Sequence, residues 1–362
     1  MLICNTITME PTIFCHTTAL HALRSSRTWR GCIPWPALFS ERQRDVLRAA
    51  NGHRDRIDVP WLEGLGIIPK REGDAPGPMH LLVANRSVHA KRPGIRTHQC
   101  SIDLPEGSLL EVATDCYVCS PALTLVQLAA TAERADILKI AYEFMGLYTL
   151  PAEQDGEASR AAQALTIPSL KQYLRRLPKT KGSGIVRDLL PHLAERSRSP
   201  LETATTLLLT TPGAHGGFGL KMPSLNYKVE LDSEVAEAFG RQAIECDLYF
   251  EDARVDVECN SRYHNNEHQR QLDDERASAL ASMDILVLPV SISQLTDLNK
   301  LERIAKTIAA RSGARYRPRA KKRLLRQATL QAALLEDFRG EEPGTAAEQA
   351  EESGDVDPES AC

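Results

Sequence analysis

Residues 245 to 260 of this 362-residue chain read ECDLYF-EDAR-VDVECN. Two β-prone runs flank a short polar break, the pattern of a β-hairpin. With the turn centred on Asp252 and Ala253, Cys246 faces Cys259, Leu248 faces Val257 and Phe250 faces Val255 on an apolar side. The other side sets Asp247 opposite Glu258, flanked by Glu245, Asp256 and Asn260. Directly opposed residues hold their Cβ atoms about 4.5–5.5 Å apart, so facing carboxylates repel. A hard divalent cation, Mg²⁺ or Mn²⁺, offsets that repulsion and suits oxygen donors. A solvated polar sheet face is the alternative that the alternation by itself allows.

The segments around the hairpin set its context. SPLETATTLLLTT opens a helix with Ser199 as N-cap, Pro200 in the first turn and Glu202 at the third position, a capping-box arrangement. A Gly-rich loop, PGAHGGFG, leads to a strand around LNYKVEL and a helical turn at SEVAEAFG. After the hairpin, DDERASALASM reads as a helix and DILVLPVSI as a buried strand. SQLTDLNKLERIAKTIAARSG then reads as a helix capped by Ser293 or Thr296. Helices alternating with strands describe an α/β sheet unit. Upstream, residues 11–25 read as the start of a small helical unit, and HLLVA, IRTHQCSI and SLLEVATDCYVCS read as short strands. Ser120 and Pro121 open a further helix. Residues 136–198 read as a mostly helical connector, broken at AEQDGEAS and LPKTKGSG.

Composition narrows the class. A hydrophobic fraction of 42% and a charged fraction of 25% are ordinary for a globular protein. No apolar run approaches a membrane span of roughly 20 residues, and no signal peptide is read at the N-terminus, so a cytoplasmic location without a membrane partner is expected. The nine cysteines are odd in number and scattered, which favours reduced thiols. Cys116-x-x-Cys119 reads as two buried small side chains, with a structural zinc site as the alternative. The net charge of −4 hides an asymmetry: residues 336–362 carry ten acids and one base, while 311–326 hold eight bases and no acid. Arg315, Arg317, Arg319, Lys321, Lys322 and Arg323 are therefore the candidates for contacting nucleic-acid phosphate. A solvated helix followed by a solubilising tail is the plainer reading of the same residues.

The order SPLE, GLKMPSLN, ECDLYF, VECNSRYH, DDER and ILVLPV resembles the very-short-patch-repair-like endonuclease domain of the PD-(D/E)XK superfamily. The stretches IFCHTTALHAL, RPGIRTHQ and CSPALTLVQLA are similar in outline to the N-terminal region of AbiEi-type antitoxins. This resemblance implies a restriction-endonuclease-like mixed sheet flanked by helices over 199–312. A small α+β, winged-helix-like region over 1–135 precedes it, with the connector between them. A basic helix over 313–338 and an acidic, disordered tail over 339–362 follow.

It also implies a site. The family's helix glutamate falls on Glu202, its two strand acids on Asp247 and Glu258 as metal ligands, its histidine on His264, and its Asp-x-x-Arg pair on Asp273 and Arg276. Asn260 stands where the superfamily often carries lysine, and an amide cannot act as a base. The expectation that follows is Mg²⁺- or Mn²⁺-dependent hydrolysis of DNA by a chain that can act as a homodimer. In that scheme His264 handles a proton and Arg276 contacts phosphate. Mobile-element defence is suggested by the resemblance alone. An inactive, DNA-binding or antitoxin-like regulator is the rival. A protein partner could be met through the N-terminal region or the acidic tail.

Overall fold

Ile13 and Phe14 are both shut from solvent, and the three-residue strand that carries them, β1 (Thr12–Phe14), lies at the centre of a sheet. The computed structural model describes residues 10–50, 58–69, 77–84, 94–152, 156–260, 267–316 and 321–338. A helix is expected over 11–25, but it begins only after β1. The extended start is held by parallel pairing of Thr12–Phe14 with Cys116–Val118.

Helices α1 (His16–Arg30), α2 (Ser40–Ala49) and α3 (Val59–Gly64) precede β2 (Met79–Val83), β3 (Ile95–Gln99), β4 (Leu109–Ala113) and β5 (Cys116–Cys119). The strands form one mixed sheet in the order β3-β2-β1-β5-β4. Helix α4 (Pro121–Leu128) follows, and α5 (Arg134–Met145) leads into the connector, which supplies a small pair β6 (Tyr148–Thr149) and β7 (Ser159–Arg160), then α6 (Ile167–Arg176) and α7 (Ser183–Leu189). Ser120 caps α4 as expected, its hydroxyl accepting from the Leu123 N–H.

The second half holds α8 (Pro200–Thr210), β8 (Ser224–Glu230), α9 (Ser233–Phe239), β9 (Ala243–Phe250), β10 (Val255–Cys259), α10 (Glu267–Ser282) and β11 (Leu286–Val290). It ends in α11 (Ile292–Thr296), α12 (Leu298–Arg311) and α13 (Lys321–Leu334). The single helix expected after β11 is two. Ser291 caps the first, and Asp297 caps the second by accepting from the Asn299 and Lys300 N–H groups, so neither Ser293 nor Thr296 is the cap. The sheet order is β11-β10-β9-β8, antiparallel across β8, β9 and β10 and parallel between β10 and β11. The chain is thus a mixed α/β protein. No helix among the described residues is long and apolar enough to cross a membrane.

One apolar cluster runs from Ile13 to Leu334, through both sheets. A buried ionic knot lies beside it. Glu143 on α5 is fully buried and accepts from Arg24 Nε and Nη2. It also accepts from Thr149 Oγ1 and the Leu150 N–H. Arg27, equally buried, sits 3.9 Å away and donates to the carbonyls of Tyr148 and Ala162. Tyr148 carries the link onward, its hydroxyl 3.0 Å from Thr203 Oγ1 on α8. Removing one partner of such a pair strands the other charge in the core. Glu143→Ala is expected to lower stability by about 3–5 kcal/mol in urea unfolding. A loss no larger than that of a surface substitution would show that the knot does not hold α1 to α5.

Candidate functional site

The hairpin register is the one read from the alternation: Val255 pairs Phe250, Asp256 pairs Tyr249 and Val257 pairs Leu248. The ladder stops there, and the expected opposition of Asp247 to Glu258 does not form. Residues i and i+2 of a regular strand share a face, yet Leu248 packs with the α8 and α12 side while Cys246 packs with the α9 and α10 side. Both β8 and β9 roll over at Asn226 and Asp247, the position missing between the pairs Leu225–Leu248 and Tyr227–Cys246. Asn226 makes the roll by adopting a left-handed backbone with φ 48°, which asparagine tolerates better than most residues. Cys246 and Cys259 therefore lie on opposite faces, and the carboxylates do not form one continuous polar face.

The roll places Asp247 in the gap between the splayed strands. Its Oδ2 accepts the Cys259 N–H at 2.9 Å, taking the place of a ladder carbonyl. Burial raises its pKa, against the pull of the Cys259 N–H and of Arg276 and Arg198. Across the gap, Glu202 on α8 is only 5% exposed. Ser199 caps the helix through the Glu202 N–H, but the reciprocal half of the capping box goes elsewhere. Glu202 Oε2 accepts from the Arg198 N–H at 2.9 Å and Asn226 Nδ2 at 2.6 Å, and Oε1 accepts from Ser199 Oγ at 3.1 Å. Burial and the neighbouring Asp247 push its pKa up to about 7, although these hydrogen bonds oppose the rise.

Asp256 is the acid whose weight the alternation understates. It is fully buried, and neither carboxylate oxygen accepts a hydrogen bond of ordinary geometry. Its neighbours are the Cys246 thiol and Arg276 Nη2, the latter 3.5 Å from Oδ2. Burial first, then Glu258, push its pKa up to about 7. Arg276, on α10, is the cation that serves this group. Its Nη1 meets Glu258 Oε1 and its Nη2 donates to the Glu245 carbonyl. Arg198 is committed to Glu245 in a two-pronged pair at 2.6 and 2.7 Å. Asp247, Asp256 and Glu258 thus converge on one guanidinium, with Glu202 beside Asp247. Among the described residues, no three of their oxygens lie within 4.8 Å of one another.

The remaining sequence candidates fall elsewhere. Asn260, exposed, follows directly after β10, with its N–H on the Val290 carbonyl at 2.8 Å. His264, Arg317 and Arg319 lie outside the described residues, as do the side chains of Asp273, Lys321 and Lys322. Arg315 and Arg323 line a cleft of about 630 Å³ with Lys221, Glu251 and Tyr316. That cleft is at the turn end of the hairpin, about 13 Å along β9 from Asp247. Helix α13 is docked and not free: Gln327, Leu330 and Leu334 are buried, and Arg326 donates to the Ala214 carbonyl. No family model, curated protein or solved structure matches the chain.

The raised acids give a pH dependence. The folded chain keeps the Glu202 and Asp256 protons to about pH 7, whereas the ordinary values are 4.5 and 3.8. Protons held by the folded state alone stabilise it at low pH, and that contribution is lost as pH rises through about 7. In chelator, the melting temperature is expected to be lower at about pH 8 than at about pH 5, and Glu202→Gln to remove part of that fall. An unchanged slope in the variant would contradict the raised Glu202 pKa.

Proposed function

We propose that the second half of the chain is a divalent-metal-dependent DNA endonuclease. The observation that carries the reading is the gathering of Asp247, Asp256 and Glu258, from two strands, against the guanidinium of Arg276, with Glu202 of α8 beside Asp247. The donor set is all oxygen, which suits Mg²⁺ or Mn²⁺. The buried oxygens of Asp256, with no hydrogen bond of ordinary geometry and Arg276 at 3.5 Å as their cation, mark where positive charge is short. Asp247 and Glu258 would hold the ion, with waters completing its shell. A mixed sheet with helices on both faces supports the restriction-endonuclease-like assignment that the motif order implies.

A bound divalent ion polarises a phosphodiester and lowers the pKa of an attacking water. The protein's own groups supply the rest. Glu202, with a pKa pushed up to about 7, is poised to take a proton near neutrality. Its hydrogen bonds to Arg198, Ser199 and Asn226 fix its direction. Arg276, beside Asp256 and Glu258, would be the group to contact a phosphate oxygen. The cleft lined by Arg315 and Arg323 is the place for flanking backbone phosphates.

A second reading has its own observation. Arg276 already neutralises Glu258 and stands by Asp256, and Asn260 offers an amide where a base is often found. On that reading the fold binds DNA, or a toxin-like partner, without cutting.

The test is nicking of supercoiled plasmid in Mg²⁺ or Mn²⁺, beside Glu258→Ala purified in the same way. Metal-dependent nicking that falls at least about 100-fold in the variant is the expected result. No nicking by wild type across metals and DNA forms would favour the regulator, and equal nicking by both would place any nuclease outside this site.

A further inference from the structure

Three imidazoles and a thiol meet where β1, β2 and β3 run side by side. Cys15 follows β1, His16 opens α1, His80 lies on β2 and His98 on β3. Cys15 Sγ is 3.2 Å from His16 Nδ1. One ligand atom each from Cys15, His16 and His98 lie within 4.8 Å of one another, the one such Cys, His, Asp or Glu cluster among the described residues. The His16 and His98 rings stack at 3.6 Å between centroids, and His98 Nε2 is 2.9 Å from His80 Nδ1.

The backbone is bent to make this meeting. Consecutive residues leaving a strand point to opposite sides, so Cys15 and His16 would ordinarily diverge. They converge because His16 adopts a left-handed backbone, φ 50°. Such a conformation is costly for a side chain of this size and persists where the surroundings enforce it. Gln127 on α4 is the enforcer: its Oε1 accepts the His16 N–H at 3.1 Å and its Nε2 donates to Cys119 Sγ at 3.6 Å. The Cys15 N–H bonds the His80 carbonyl at 2.9 Å, which ties the turn to β2.

We propose that Cys15, His16 and His98 bind one Zn²⁺ ion, with His80 orienting the His98 ring. One thiolate with two imidazoles is a borderline-soft donor set, the kind zinc takes and magnesium does not. Ligand atoms on a tetrahedral zinc stand roughly 3.3–3.8 Å apart, so the ligand atoms are already within reach of one ion, and the stacked His16 and His98 rings must turn out of their stack to aim their lone pairs at it. The hydrogen bond between His98 and His80 is the type that fixes a ligating imidazole. Cys15 is buried while His16 and His98 are half-exposed, so the ion enters from solvent and a water takes the fourth position. Binding breaks the Cys15 S–H bond, forms the sulfur–metal bond and releases the proton to solvent. The ion would cross-link the β1–α1 turn to the edge strand β3. This site shares no residue with the carboxylate cluster and does not depend on the nuclease reading.

The test is anaerobic titration of the untagged, reduced full-length chain with Co²⁺, followed by its absorption spectrum. One equivalent is expected to produce a thiolate-to-cobalt charge-transfer band with intense tetrahedral ligand-field bands, all displaced by Zn²⁺. Cys15→Ser should abolish the charge-transfer band. His98→Gln should weaken binding by more than tenfold, His80→Gln by about tenfold, and Asp247→Asn should leave it intact. His98→Gln changes a half-exposed side chain, so it decides the matter if Cys15→Ser fails to fold. Absence of the band in wild type would overturn the proposal, as would a band retained at full affinity in His98→Gln. Either result would leave the histidine stack as packing alone.

Discussion

Burying carboxylates without enough cations is the constraint around which the second half of this protein is organised. Burial raises the pKa values of Glu202, Asp247 and Asp256, and Arg276 is the cation that Asp247, Asp256 and Glu258 share. Buried ionised groups are tolerated when paired, and otherwise neutralise by taking a proton or recruit an ion. The site therefore has two ways to close its charge imbalance, and an ion would compete with protons for the same oxygens. A surface polar face would show no such competition.

The geometry that creates this imbalance is supported from far away in sequence. Asn226 turns β8 and β9 over, which lifts Asp247 out of the sheet face and towards Glu202. Glu202 is fixed because α8 is fixed, and α8 is tied through Thr203 to Tyr148 and the buried Arg27–Glu143 knot. The shared core from Ile13 to Leu334 makes the N-terminal sheet part of the same support. The two candidate ion sites differ in chemistry within this one body. The first offers only oxygen, whereas the N-terminal cluster offers sulfur and nitrogen, so the same ion would not be expected to prefer both.

Much of the second half was legible in the chain. Ser199-Pro200 and Ser120-Pro121 mark helix starts through local capping chemistry, and the hairpin register follows from the alternation around Asp252–Ala253. What alternation hides is a change of face within a strand. The roll at Asn226 is a backbone event whose consequence, separation of Cys246 from Leu248, is set by packing against two different helix layers. The weight of Asp256 was hidden for the same reason: it is buried on a central strand between β9 and β11 with Arg276 of α10 beside it, none of which its neighbours in sequence reveal. The strand β1 was missed because three residues give no period and its pairing partner lies about a hundred positions away. The Cys15, His16 and His98 cluster shows no ligand spacing of its own, since the turn at His16 and the packing of one sheet bring together residues about eighty positions apart.

The central claim is that protons and a divalent cation compete for the carboxylates of Glu202, Asp247, Asp256 and Glu258. The most direct measurement is calorimetric titration with Mg²⁺ in buffers of different ionisation enthalpy, which counts the protons released per ion bound. At slightly acidic pH the account predicts binding that releases at least one proton, and at alkaline pH binding with almost none. No binding at either pH, or binding without proton release at the lower pH, would contradict it.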